Sequence, residues 1–237
     1  MANMAFERLI LLVYLLSSLA QGATVTVCPG GCDYSSIKVA IFAASPGDVV
    51  EVQSGRYYDH LNIQKRIELR GVDTGKGMPI LDATGSGSPV TISADGVVVE
   101  GLRLMNGGPD SAGILVLSDE CIIRKNDASN NYIGIHLLGS KNCTVQGNIA
   151  SGNLEHGLRL DGCSGNMIYE NVVMNNFLGN AFDDGTNFWE NGMVGNRYGD
   201  FDGPDEGCRD DNLDGLCDSS REIPGGSNRD RFPIAGG

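Results

Sequence analysis

The chain repeats one pattern three times: GILVLSDECIIRKNDASNN at 113–131, GIHLLGSKNCTVQGNIASGN at 134–153 and GLRLDGCSGNMIYENVVMNN at 157–176. Each copy begins with Gly, continues with alternating apolar positions, turns at a polar corner and ends in a second short β-like run. The period is about 22 residues, too short for helical repeats. It predicts one turn of a parallel β-solenoid per copy, because stacked turns share a core that a single turn cannot bury.

Short β-like runs on both sides extend this solenoid. Irregular turns begin near Val49 and a last turn starts near Asn180, which predicts an all-β fold of about six or seven turns. Between Ser35 and Asp48, apolar residues at helical spacing predict a short helix that covers the open edge of the first turn. We therefore expect a β-helix domain at 23–199 and an acidic cap at 200–237.

The first 22 residues have the composition of a signal peptide. Arg8 precedes the apolar run Leu9–Leu16, and small residues before Ala23 suit cleavage. The run is too short to cross a bilayer of about 30 Å, so we expect no transmembrane segment in the mature chain. This segment predicts a secreted or cell-surface, extracellular protein.

The net charge of the chain limits the classes of partner that it can bind. The net charge is −13, and 34 of the 237 residues are Gly. An acidic chain is unsuited to nucleic acid, whose phosphates require a basic surface, and is suited to cations. The glycines fit the tight bends of a solenoid.

Seven cysteines suggest disulfides in an exported chain. The spacing predicts two local bridges, Cys28–Cys32 and Cys208–Cys217. Cys121, Cys143 and Cys163 lie about one turn apart, so at least one thiol stays unpaired within the chain. A ladder of buried free thiols is favoured, with a stacked disulfide and a soft-metal site as alternatives.

An acidic loop near the C-terminus has the spacing of a calcium site. Oxygen donors alternate at Asp210, Asn212 and Asp214, Gly215 allows a sharp bend, and Asp218 follows. The carbonyl of Leu216 is an expected further ligand, whereas Arg221 occupies the position where an EF-hand has Glu. The sequence predicts bound calcium, with a solvated acidic loop as the alternative. Additional ligands are expected among Asp200, Asp202, Asp205 and Glu222.

Asn126, Asn148 and Asn171 occupy one position of the repeat. We expect an internal ladder in which stacked amides hydrogen-bond from turn to turn, with a polar track for sugars as the alternative. Asn142 begins an Asn-Cys-Thr glycosylation sequon in a tight corner of the repeat.

Outward positions are also expected to stack. One face should carry Leu115, His136 and Arg159, and another Arg124, Gln146 and Tyr169. A strip of mixed His, Arg and Tyr chemistry suits an acidic polysaccharide, and His136, Arg159 and Tyr169 are the candidate glycan-binding residues.

Several segments carry a family resemblance: GDVVEVQSGRYYDHLNI, RIELRGVD, the three repeats, DDGTNFWENG, GNRYGDF and IPGGSNRDRFPI. In this order they resemble the NosD-type β-helix proteins of the pectin-lyase-like superfamily, common among secreted and surface proteins of methanogenic archaea. The resemblance implies a right-handed parallel β-helix over nearly all of the mature chain. It implies little about activity, because this architecture hosts lyases, hydrolases, adhesins and accessory proteins.

These features favour a non-catalytic, calcium-stabilised protein of the cell envelope with a structural, adhesive or glycan-binding role. Its expected partners are envelope polysaccharide or surface proteins, with self-assembly through calcium or the solenoid ends as a further option. A polysaccharide lyase or hydrolase is the alternative, but the acids concentrate at the C-terminal end, and Asp183 and Asp184 should point to opposite sides of a strand. A third option, implied by the resemblance, is a copper-handling accessory protein.

Overall fold

The protein is a right-handed parallel β-helix with three faces. The computed structural model describes residues 22–236, so the expected signal peptide lies outside the described residues except for Gly22. In each complete turn the chain passes through a first, a second and a third face, and every neighbouring pair of strands in these faces is parallel. Within residues 22–236, no helix is long and apolar enough to cross a membrane.

The faces differ in length. The first is an eight-stranded sheet, the third a six-stranded sheet, and the second consists of two three-stranded sheets joined by bridges through Asp127. The first face contains Thr24–Val27, Val49–Gln53, Glu68–Val72, Val98–Glu100, Ile122–Arg124, Thr144–Gln146, Ser164–Tyr169 and Thr186–Phe188. The second contains Arg56–Tyr57, Ile80–Asp82, Arg103–Met105, Ile149–Ser151, Val172–Met174 and Arg197–Tyr198. The third contains Leu61–Ile63, Val90–Ile92, Ala112–Val116, Ile133–Leu138, His156–Asp161 and Gly179–Asp183.

The first face shows eight turns, slightly more than the six or seven expected. The extra turn comes from Thr24–Val27, which pairs with Val49–Gln53 although the capping helix lies between them. A four-residue strand before a disulfide and a helix gives no repeat signal, because its partner follows only after the helix. The prediction of a right-handed parallel β-helix is confirmed.

The three sequence repeats lie directly above one another. Ile114 pairs with Ile135, and Ile135 pairs with Leu158, on the third face. On the first face Ile123, Val145 and Ile168 are in register and buried. Alternate residues therefore point inward and form one apolar core along the axis.

The N-terminal helix spans Ile37–Ala43, within the segment Ser35–Asp48 in which the sequence predicted a short helix. Ser36 caps it by accepting a hydrogen bond from the backbone N–H of Val39 at 3.4 Å. Ala44, the C-cap residue, is already extended, and Pro46 follows two residues later, where proline is common. Buried Ile37, Ala40 and Ile41 pack on the first turns.

The C-terminal segment folds back on the last turn. It contains a 3₁₀ helix at Pro204–Glu206 and an antiparallel pair formed by Arg221–Glu222 and Arg229–Asp230. The N–H of Gly195 donates to the carbonyl of Phe232 at 2.8 Å, and the N–H of Ile234 donates to that of Asn196 at 2.9 Å. The tail thus covers the end of the solenoid with backbone hydrogen bonds.

Candidate functional site

The predicted Asn column forms a buried ladder at the corner between the first and second faces. The Oδ1 atom of Asn148 accepts from the backbone N–H and the Nδ2 of Asn126, at 3.0 and 3.1 Å. Asn171 Oδ1 accepts both equivalent groups of Asn148 at 2.9 Å. Asn148 Nδ2 also donates to the carbonyl of Ile123 at 2.9 Å. Each amide therefore links two turns and satisfies the backbone at the bend.

Two more ladders occupy the other corners, and both were missed from the sequence. At the corner between the second and third faces, the backbone N–H of Asn131 donates to Asn153 Oδ1 at 2.9 Å, and Asn153 donates from its backbone N–H and Nδ2 to Asn176 Oδ1 at 3.0 and 2.8 Å. The available signal was the Asn that ends each of the three quoted repeats. At the corner between the third and first faces the ladder comprises Asn166, Asn187 and Asn228.

The first ladder continues beyond the repeats and ends at a carboxylate. Asn171 donates to Asn196 Oδ1, and the backbone N–H of Asn196 donates to Asp230 Oδ2 at 2.7 Å. The hydroxyl of Tyr198 donates to the same oxygen at 3.1 Å. Asp230 is fully buried, and burial raises its pKa to about 6 although several hydrogen bonds act in the opposite direction. The end of the solenoid thus contains a buried acid.

The structure contains both expected disulfides, Cys28–Cys32 and Cys208–Cys217. Cys121, Cys143 and Cys163 are free and buried. Cys121 and Cys143 lie in consecutive turns of the third corner, directly above Asn166, whose Oδ1 accepts from the N–H of Cys143 at 2.8 Å. These two cysteines therefore continue the column that the third Asn ladder forms in later turns.

Side chains of the acidic loop accept hydrogen bonds from the backbone N–H groups of the same loop. The N–H of Asp214 donates both to Asp210 Oδ1 at 3.0 Å and to Asn212 Oδ1 at 2.9 Å. The N–H of Leu216 donates to Asp214 Oδ1 at 2.9 Å, and Asp218 accepts from the N–H of Asp211 at 2.8 Å. The side-chain oxygens of Asp210, Asn212 and Asp214 thus gather on one short turn, which the Cys208–Cys217 disulfide closes.

Three of the four additional carboxylates expected as calcium ligands pair with arginines. Asp200 pairs with Arg221 at 2.8 Å and also accepts from Asn180 at 2.7 Å. Asp202 pairs with Arg197 at 3.0 Å, and Glu222 lies 3.5 Å from Arg229. Asp205 is exposed in the 3₁₀ helix. The role of these four residues as calcium ligands stays a prediction.

The third face carries a cluster of charged groups around Arg159. His136 Nε2 and Arg159 Nε lie 2.7 and 2.8 Å from the same Asp161 oxygen, and Arg159 also pairs with Glu155. Burial lowers the pKa of His136. Burial raises the pKa of Asp161, but hydrogen bonds from Arg159 and His136 outweigh it and leave that pKa below its usual value. The guanidinium is thus neutralised by neighbouring carboxylates.

Tyr169 does not belong to this cluster. It lies on the first face, in register with Gln146, whereas His136 and Arg159 are paired on the third face. The three candidate glycan-binding residues therefore do not share one surface. Asn142 is exposed in a corner with a φ of 54°, and glycosylation there stays a prediction.

A shallow groove follows the corner between the second and third faces. Its walls contain Asn106, Asn130, Tyr132 and Leu154 together with glycines, Pro109 and Asn131, and no charged side chain. Asn106 and Asn130 adopt φ angles of 59° and 60°, a left-handed conformation that Asn tolerates better than most residues.

Exposed apolar side chains continue this groove along the axis. The N–H of Leu154 donates to Asn131 O and that of Phe177 donates to Asn153 O, so Leu154 and Phe177 lie in consecutive turns. Leu154, Phe177 and Leu178 are 67%, 86% and 63% exposed. Neighbouring exposed apolar side chains of this size make the groove a candidate binding surface. Sequence reasoning missed it because glycines and asparagines at a corner are also ordinary turn signals.

Comparison with protein families identifies the chain's relatives. The family model described as "Periplasmic copper-binding protein (NosD)" matches residues 53–203, well over half of the chain. The chain belongs to the NosD family. The match begins at Gln53, the last residue of the second strand of the first face, and ends just after the last strand of the second face, so it covers most of the β-helix. No curated protein and no solved structure matches the chain significantly.

The NosD description raises the question of copper. Within residues 22–236, no three or more His, Cys, Asp or Glu side chains are arranged to hold a metal ion. His136 and His156 contact different carboxylates, and His60 lies 3.2 Å from the carbonyl of Ser88. Copper in proteins is bound by converging His, Met or Cys side chains. The described residues do not form such a set.

Proposed function

We propose that this NosD-family protein is an exported, non-catalytic component of the cell envelope that binds a neutral glycan and uses calcium to fix its C-terminal cap. The family's periplasmic description and the two disulfides support an envelope location. The observation that carries the binding role is the uncharged groove at the corner between the second and third faces, formed by Asn106, Asn130, Tyr132 and Leu154.

The chemistry of the groove suits a sugar. Sugar rings present apolar C–H faces, which pack on aromatic and aliphatic side chains such as Tyr132 and Leu154. Their hydroxyl groups both donate and accept, as do the amides of Asn106 and Asn130. A binding site of this kind combines apolar walls with a few polar groups that set orientation.

The distribution of charge favours a neutral glycan over an acidic one. The groove contains no basic side chain, and the chain as a whole has a net charge of −13. On the third face, Asp161 and Glu155 already neutralise Arg159. An acidic polysaccharide would therefore meet repulsion over most of the surface.

Substituting Tyr132 with alanine should weaken binding of a neutral oligosaccharide at least tenfold, because the variant loses the aromatic platform of the groove. Tyr169→Ala is the matched control, since Tyr169 lies on the first face and should leave the Kd unchanged. The measurement is calorimetric titration with a panel of neutral and uronic-acid oligosaccharides.

Two results would contradict the glycan proposal. One is preferential binding of uronic-acid oligosaccharides that disappears in Arg159→Ala. The other is release of unsaturated uronate, followed by absorbance, which would instead support the alternative of a polysaccharide lyase.

Calcium is the proposed cation of the acidic loop. The loop offers carboxylates from Asp210 and Asp214, the amide oxygen of Asn212 and the carbonyl of Leu216. Oxygen donors on a flexible loop are the ligands that Ca²⁺ prefers. Because the Asp210 and Asn212 oxygens already point at the same backbone N–H, a modest rotation would direct them at a common ion.

Chelation of calcium should lower the melting temperature. At a free calcium concentration 100-fold above Kd, the ligand stabilises the folded state by about 2.7 kcal/mol, or roughly 5–10 °C for a chain of this size. Asp214→Ala should abolish the difference between melts with calcium and with chelator, whereas exposed Asp205→Ala should keep it. Identical melts of the wild-type protein in the two buffers would rule out the calcium site.

A further inference from the structure

The third corner contains two free thiols in adjacent turns. The N–H of Thr144 donates to the carbonyl of Cys121 at 2.8 Å, and the N–H of Cys121 points at the sulfur of Cys143 at 3.4 Å. Both side chains are buried in the core, with exposures of 0% and 1%. The two sulfurs thus lie on the inner side of the bend, in turns that are directly adjacent.

The column around this pair is linked from turn to turn. Below the cysteines, Asn166 Nδ2 donates to Asn187 Oδ1 at 2.8 Å, and the N–H of Asn187 donates to Asn228 Oδ1 at 3.1 Å. Cys121 and Cys143 occupy the equivalent positions but lack an amide with which to make the same connection. Between Cys121 and Cys143, the side-chain hydrogen bond that links the later turns of this column is therefore absent.

We propose that Cys121 and Cys143 form a disulfide between turns, which replaces the missing amide link with a covalent one. Adjacent strands lie about 4.8 Å apart, within the range of about 4.4–6.8 Å for the Cα atoms of a disulfide. The thiolate is the nucleophile in disulfide exchange, and either cysteine can attack first while the turns are still open.

The oxidant is a disulfide, either of a thiol-exchange protein or of glutathione. The thiolate of one cysteine attacks one of its sulfurs and releases the first thiol of the oxidant. The other cysteine then loses its proton and displaces the second thiol. One S–S bond forms, one breaks, and the two protons and two electrons of the cysteines reside on the reduced oxidant. Since both sulfurs are buried in the folded chain, the exchange takes place before these turns close.

Cys163 is expected to remain a free thiol. Its sulfur lies in a neighbouring column, 3.3 Å from the carbonyl of Leu137 and 3.4 Å from that of Asp161. Ser140 occupies the same column one turn earlier, where its hydroxyl donates to Val116 O at 3.1 Å. Cys163 therefore has a serine, and not a cysteine, as its neighbour along the axis.

Peptide mapping of the wild-type protein tests the proposal without any variant. The protein is refolded with reduced and oxidised glutathione, denatured, alkylated and digested with trypsin, which separates the three cysteines into peptides 104–124, 142–159 and 160–197. We expect peptide 104–124 cross-linked to 142–159, and an alkylated thiol on 160–197. Alkylation of all three peptides, or a cross-link that includes Cys163, would overturn the proposal.

Thermal unfolding provides a second readout. Reduction should lower the melting temperature of wild type more than that of a Cys121→Ser/Cys143→Ser variant, by roughly 6–12 °C for a loop of this length. The local disulfides contribute equally to both proteins, and Cys163→Ser should behave like wild type. Equal shifts in all three proteins would contradict a cross-link between the turns.

Discussion

Asn148→Ala should reduce the free energy of unfolding by about 4 kcal/mol, equivalent to a loss of roughly 8–16 °C in melting temperature. Removal of this amide leaves the buried N–H of Asn126 and the carbonyl of Ile123 without their partners. It also interrupts the contact with Asn171 in the next turn. Each buried polar group left unsatisfied costs about 1–3 kcal/mol.

Gln146→Ala is the matched control for this experiment. Gln146 lies in the same turn, but its side chain points outward and donates to exposed Glu170 at 2.8 Å. Its loss should change the free energy of unfolding by less than about 0.5 kcal/mol. Urea denaturation of the three proteins measures both values, and an Asn148→Ala loss similar to that of the control would show that the ladder contributes little to stability.

Asp230 should make the cap more stable in acid than at neutral pH. Its pKa is about 6 in the folded protein and 3.8 as an unperturbed group, so the folded state binds the proton more tightly. The stabilisation is fully present below pH 3.8 and is lost as the pH rises through about 6. The shift corresponds to about 3 kcal/mol between these limits.

The comparison of wild type with Asp230→Asn isolates this contribution from the other carboxylates. An asparagine does not titrate, so the variant should gain stability relative to wild type by about 3 kcal/mol between pH 4 and pH 7. Exposed Asp205→Asn, in the same segment, should show no such gain. Urea denaturation at unit pH steps measures the free energy of unfolding of each protein. If the profiles of wild type and Asp230→Asn run parallel, Asp230 does not cause the pH dependence.

The repeats made the fold predictable, because a strict period fixes which residues stack. Positions such as Asn126, Asn148 and Asn171 recur every 22 or 23 residues, so their vertical alignment follows from spacing alone. Beyond Asn176 the period is lost. Asp230 accepts the last hydrogen bond of the ladder from Asn196. It lies 34 residues after Asn196, in a segment that lacks the repeat pattern.

The candidate sites were less predictable, because sequence spacing does not say which charges pair. Asp200 is expected among the calcium ligands, and in the folded chain it also pairs with Arg221, which is 21 residues away. The groove around Tyr132 depends on how three successive corners align in space. Neither feature has a local sequence signal, so both required the folded structure.

The three corner ladders also bear on how such proteins change in length during evolution. Each turn requires from its neighbour an apolar inner surface and, at most bends of the three repeats, an amide, and neither requirement depends on the turn's position. Duplication of a single turn would lengthen the rod by about 4.8 Å and leave both ends unaltered. This chain could therefore gain a whole turn at little energetic cost.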